Sequence, residues 1–146
     1  MTKEMKYAPI EFSLKSISDK GQFFGYASVF DTIDSQNDMV LRGAFQRTLQ
    51  EQKNKIRLLW QHQPDEPIGY FDEISEDAHG LFVKGRLLLD VRRAQEAYAL
   101  LKAGAIEGMS IGYTPTQYDF DPKTGVRRIA EVNLWEISLV TFPANS

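Results

Sequence analysis

The stretch Ile129-Ala130-Glu131-Val132-Asn133-Leu134-Trp135-Glu136-Ile137-Ser138-Leu139-Val140-Thr141-Phe142 decides the fold class. It is the longest strand signal in the chain. Its alternation predicts Trp135, Ile137 and Leu139 on one face and Leu134, Glu136 and Ser138 on the other. Just upstream, Asp121-Pro122-Lys123-Thr124-Gly125 is a hairpin turn by composition. Residues 109–114 read as a short strand flanked by Gly108 and Gly112. Further back, Ile56, Leu58 and Trp60 alternate with Arg57, Leu59 and Gln61, a period of two. His62 ends that strand in phase with Ile56, Leu58 and Trp60. The prolines at 64 and 67 predict that the strand breaks over residues 63–67. Residues 70–75 and 80–89 predict a strand pair joined by a polar turn. Residues 23–30, aromatic and β-branched, predict another strand, followed by a loop containing Asn37-Asp38.

Two helices interrupt these strands. Residues 44–53 carry Phe45 and Leu49 at i, i+4 among polar residues. A second helix begins after Asp90, a plausible N-cap, puts Ala94, Ala97, Tyr98 and Leu101 on one face, and stops at Gly104. About seven strands and two helices predict a mainly β fold, a mostly antiparallel sheet closed or nearly closed into a barrel with helices on its surface. The βαβα alternation of a doubly wound parallel sheet is missing.

Composition narrows the function. The chain has 146 residues, suited to one domain over 1–146, with 42% hydrophobic and 25% charged residues. Net charge is -3 with both signs interspersed, so neither nucleic acid nor an acidic membrane is an expected partner. There is no cysteine, which excludes a thiol nucleophile, a redox pair and thiolate metal ligation. The first twelve residues are charged and carry no apolar core of a signal peptide, and no window is apolar enough to span a bilayer. A soluble, intracellular protein is expected. Phosphate loops and metal motifs are absent, so no cofactor and no metal are expected.

Histidine is scarce: the chain has only His62 and His79. His62 sits where a strand end meets a proline-kinked loop, a place where a scaffold presents side chains, though a structural or surface histidine fits as well. His79 lies in an acidic turn and reads as a solvated residue. Ser110 lies in Gly108-Met109-Ser110-Ile111-Gly112, a match to GxSxG. The α/β-hydrolase elbow is rejected, because both histidines precede the serine and a strand, not a helix, surrounds it. The glycines still allow close backbone approach; an ordinary serine in a glycine-rich bend is the alternative. Glu136 interrupts the most apolar strand and needs solvent, an arginine or an imidazole as partner.

Six stretches then carry a resemblance over nearly the whole chain. They are Gly25-Tyr26-Ala27-Ser28-Val29-Phe30-Asp31, Gly43-Ala44-Phe45, Leu59-Trp60-Gln61-His62, Gly80-Leu81, Gly108-Met109-Ser110-Ile111-Gly112-Tyr113, and the run from Leu134-Trp135-Glu136-Ile137-Ser138 through Pro143-Ala144-Asn145. In this order they resemble the prohead proteases of the HK97-like tailed phages. The resemblance implies a helix-decorated β-barrel similar to the herpesvirus assembly proteases, and a serine endopeptidase. Its histidine would be the one after Leu-Trp-Gln, His62. Its serine would be Ser110 and its third member Glu136. Herpesvirus proteases use a second histidine, and His79 is a poor match because it precedes the serine. Arg127 and Arg128, by analogy with an arginine pair in those proteases, are candidate oxyanion donors beside backbone N–H groups.

The resemblance also implies the substrates: the scaffolding segment of the major capsid protein, and the protease itself. A homodimer is suggested by the herpesvirus analogy. The implied location is the assembling prohead in the bacterial host cytoplasm. Family members usually continue beyond Pro-Ala-Asn, so an ending at Ser146 is read as an engineered core or a self-processed chain. Two other functions compete: a non-catalytic barrel that binds capsid or scaffold protein, and a small-ester or amide hydrolase with the same three groups.

Overall fold

The structure, a computed structural model, describes residues 3–9, 20–106 and 108–141. Eight strands form one sheet in the order β1-β7-β8-β4-β5-β6-β2, with β3 on the side of β8. The strands are β1 (Glu4–Pro9), β2 (Gln22–Val29), β3 (Asp38–Val40), β4 (Arg57–Trp60), β5 (Gln63–Glu76), β6 (Gly80–Leu87), β7 (Gly108–Phe120) and β8 (Arg127–Val140). Helix α1 (Gln46–Gln52), followed by a 3-10 turn over Lys53–Lys55, and helix α2 (Arg92–Lys102) complete the fold. The sheet curls until β1 and β2, at its two ends, touch. Most pairs are antiparallel, as expected, but β3 and β4 both lie parallel to β8. Among the described residues no helix is long and apolar enough to cross a membrane.

Local chemistry explains most boundaries. Asp121 Oδ1 accepts from the N–H groups of Lys123 and Thr124, and Gly125 takes φ 73°, which closes the β7–β8 turn where composition predicts it. Gly104, at φ 72°, ends α2; its N–H donates to Leu101 O and that of Ala105 to Leu100 O, a Schellman closure. The helix start differs from expectation: Val91, not Asp90, is the capping residue, and no side chain caps it. Ala44 and Phe45 precede α1 instead of belonging to it. Glu76 accepts the N–H groups of Gly43 and Phe45 and holds that entry turn.

The break expected over residues 63–67 does not occur, and β5 runs through both prolines. The prolines are tolerated because pairing is irregular there. Trp60 opposes Gln63 and Leu59 opposes Pro67, so the intervening residues bulge out of the β4 ladder. Pairing to β6 begins only at Gly69. Likewise β7 extends to Phe120, well past residue 114, because β8 pairs with it along its whole length.

The phase of β8 changes once in a way that matters for function. Val132 and Leu134 lie in the core, and so do Ile137 and Leu139. Gly112 opposes Glu136 while Tyr113 opposes Leu134, leaving Trp135 as the extra residue of a bulge. Trp135 is therefore not on the face of Ile137 and Leu139, as strict alternation predicts. It is 39% exposed, and its Nε1–H donates to Thr114 Oγ1. The bulge sends Ile137 and Leu139 into the core and turns Glu136 and Ser138 to the opposite face.

Candidate active site

Ser110 and Ser138 oppose each other across β7 and β8, and Gly112 opposes Glu136 two residues further along. Met109 and Ile111, flanking Ser110, belong to the core, so Ser110 faces away from it. Strand β4 lies on the other side of β8, with Leu59 level with Ser138. Three neighbouring strands thus bring Ser110, Glu136, Ser138 and the end of β4 onto one face.

His62 reaches this face by a route that alternation does not foresee. Leu58 and Trp60 pack into the core. Between Trp60 and its partner Gln63, Gln61 and His62 form a two-residue hairpin turn with φ 52° and 60°. Both residues are left-handed, the sign pattern of a type I′ turn, which ordinarily calls for Asn or Gly. Such backbone costs on the order of 1–3 kcal/mol per residue and persists only where surroundings impose it. Here the Gln61 N–H donates to Leu139 O at 3.0 Å, its Nε2 donates to Thr141 Oγ1 at 2.5 Å, and its Oε1 accepts the Thr141 N–H at 3.3 Å. The His62 N–H donates to Ser138 Oγ at 3.0 Å. The turn swings the imidazole off the phase of Trp60 and over Ser110 and Glu136.

The imidazole bridges them. Nδ1 lies 2.5 Å from Glu136 Oε1 and Nε2 lies 2.6 Å from Ser110 Oγ. The carboxylate can only accept, so Nδ1 carries the proton and Nε2 is left to accept the Ser110 hydroxyl. Glu136 is nearly buried, with 6% of its side chain exposed, and both of its oxygens are satisfied: Ser138 Oγ donates to Oε2 at 2.7 Å. The buried charge thereby gains the partner it needs. Ser110 is buried.

The arginine candidates lie elsewhere. Arg127 opposes Phe120 at the far end of the hairpin, ten residues along β7 from Ser110. Its guanidinium is held by Glu4 and by Asp38, which is buried, and these carboxylates hold its proton more tightly than usual. Arg128 pairs with Asp119. The structure does not bring either arginine to Ser110. His79 is exposed, its N–H donates to Asp77, and its ring meets Tyr26 edge-on, as a turn residue should.

Three contributors, Ser138, Gln61 and Thr141, are not evident from sequence as parts of the site. Ser138 shares the phase of Glu136, a visible signal, but its partner His62 N–H depends on a turn that no sequence motif announces. Gln61 and Thr141, which tie that turn to β8, carry no signal.

Comparison with known proteins places the chain in a family. Residues 10–146 match the profile of the caudovirus prohead serine proteases, and the chain belongs to that family. It is 35% identical over 147 residues to the prohead protease of Enterobacteria phage HK97, covering 99% of this chain but 65% of that relative. It is 34% identical over 102 residues to a capsid polyprotein of Pseudomonas phage PAJU2, covering 64% of this chain and 15% of the polyprotein. Its fold is similar to that of the bacteriophage T4 capsid assembly protease, with a TM-score of 0.73 at 12% identity, over 94% of this chain and 97% of the other.

Proposed function

We propose that this chain is a serine endopeptidase of Ser-His-Glu type that cleaves the scaffolding segment of the major capsid protein, and itself, during prohead maturation. The observation that carries this reading is the His62 imidazole seated between Ser110 and Glu136. Membership of the prohead protease family supports the substrate. So does the likeness to part of a protein named as a capsid polyprotein.

In the reaction, Ser110 Oγ attacks the scissile carbonyl while its proton passes to His62 Nε2. The tetrahedral intermediate collapses, the C–N bond breaks, and Nε2 returns the proton to the leaving amine. Water, deprotonated by the same nitrogen, then attacks the acyl-serine ester; the acyl–Oγ bond breaks, Ser110 Oγ takes the proton back from Nε2, and the acid is released. Glu136 holds the Nδ1–H tautomer and stabilises the imidazolium that forms in each half. With both arginines remote, backbone N–H groups remain the donors for the oxyanion. The work is done inside the assembling prohead in the host cytoplasm, and a second copy of the chain is both substrate and candidate dimer partner.

The test is co-expression with the major capsid protein of the same phage, as wild type and as Ser110→Ala, with products weighed by intact mass spectrometry. Shortening of the capsid protein with the wild type alone is expected. Intact capsid protein in both samples, with assembled proheads present, would favour a non-catalytic capsid-binding module.

A further inference from the structure

We propose that Ser138 is a positioning residue: its hydroxyl ties the His62 backbone to the Glu136 carboxylate and so fixes the imidazole against Ser110. The inference rests on the catalytic reading of Ser110, His62 and Glu136, and gives that site a fourth member.

The bond directions are unambiguous. A backbone N–H only donates and a carboxylate only accepts, so Ser138 Oγ accepts from His62 N at 3.0 Å and donates to Glu136 Oε2 at 2.7 Å. The second carboxylate oxygen, Oε1, meets Nδ1 of the same histidine at 2.5 Å. These three contacts close a ring through the His62 backbone, its imidazole, the Glu136 carboxylate and the Ser138 hydroxyl. Ser138 has no exposed surface, so water cannot replace its hydroxyl without rearrangement. The ring fixes two things a serine hydrolase needs. It holds His62 at φ 60°, from which the ring reaches Ser110, and it sets the plane of the carboxylate that orients Nδ1. Because Ser138 opposes Ser110 across β7 and β8, the clamp is registered to the nucleophile by the same ladder.

Without the hydroxyl, the His62 N–H and one lobe of Glu136 lose their partners together. The imidazole then samples orientations that miss Ser110. Ser138 has no exposed surface with which to meet a substrate, so the loss is expected to fall on the chemical step.

The experiment measures inactivation of the whole chain by an alkyl fluorophosphonate, separating the limiting rate from the half-saturating concentration. It also follows the His62 Nδ1–H proton in the far-downfield 1H NMR spectrum. Ser138→Ala is expected to lower the limiting rate by about 10–100-fold, the equivalent of one charge-assisted hydrogen bond, with half-saturation unchanged. The downfield proton should shift or broaden, and Ser138→Thr, which keeps the hydroxyl, should restore both. A Ser138→Ala protein that reacts at the wild-type rate with an unaltered downfield proton would overturn the inference. Ser110→Ala is the control. Undiminished labelling there, or an unreactive wild type, would defeat the catalytic reading itself and not only the role of Ser138. If Ser138→Ala does not fold, amide exchange in the wild type decides. The His62 N–H must be protected by about 100-fold or more, whereas exchange at the rate of an open turn would overturn the inference.

Discussion

The carboxylate of Glu136 fills the space that a Cβ on Gly112 would occupy. The two residues oppose each other on β7 and β8, and a methyl group at 112 would overlap Oε1, Cδ and Cγ of the glutamate. The second glycine of the Gly108-Met109-Ser110-Ile111-Gly112 run is therefore a glycine for the acid's sake. It lets Glu136 lie across the strand pair with Oε1 on His62 Nδ1.

Gly112→Ala should accordingly displace Glu136 while leaving the sheet in place. Overpacking of this kind costs about 1–3 kcal/mol. A displacement near 1 Å at a catalytic group costs roughly 100-fold in rate. Thermal unfolding and capsid-protein cleavage, measured side by side, check both figures.

Removal of the three central groups should have unequal effects. Ser110→Ala and His62→Ala each remove proton transfer or the nucleophile and should lower cleavage by about 10^4-fold or more. Glu136→Ala leaves Ser110 and His62 able to react and should cost one to two orders of magnitude less, roughly. Single-turnover cleavage of capsid protein distinguishes these values.

Arg127 and Arg128 should separate stability from activity. Arg127→Met leaves the buried Asp38 without its guanidinium and should destabilise the fold by about 3 kcal/mol, the usual cost of breaking a buried pair. Arg128→Ala breaks an exposed pair with Asp119 and should cost about 1 kcal/mol or less. Fluorophosphonate reactivity of both folded variants should equal that of the wild type. A 100-fold loss in either would restore the arginine to the oxyanion site.

Tyr113, next to Gly112, is buried at 1% exposure, and its hydroxyl has no hydrogen-bond partner among the described residues. Burial, the main cause, holds its ionisation well above the ordinary tyrosine range. An unsatisfied buried hydroxyl is a cost, so Tyr113→Phe should be neutral or stabilising by about 1 kcal/mol. Denaturant unfolding of the folded chain tests this; destabilisation would point to a partner for the hydroxyl.

Much of this is readable from the residues alone. Strand β8 announces itself because its apolar and β-branched residues alternate, and the β7–β8 turn because Asp121 and Gly125 are each needed at their positions. The shared phase of Glu136 and Ser138 is visible for the same reason. What fails is whatever depends on a partner strand. The bulge at Trp135 depends on the register of β7, and it reverses the face on which Trp135 was placed. The passage of β5 through Pro64 and Pro67 depends on the irregular register with β4, which leaves Pro64 unpaired and sets Pro67 between two register shifts. The parallel pairing of β4 with β8 depends on where α1 returns the chain. The left-handed turn at Gln61 and His62 has neither Asn nor Gly to betray it; contacts from Leu139, Thr141 and Ser138 impose it. The resemblance supplied His62 as the base, but the turn that aims it could be seen only in three dimensions.

The most direct measurement is to treat the folded chain with a fluorophosphonate near neutral pH and map the adduct by peptide mass spectrometry. A single adduct on Ser110, lost on unfolding and absent from His62→Ala, is the predicted result. An adduct on another serine, or equal labelling of Ser110 with His62 removed, would contradict a nucleophile activated by His62.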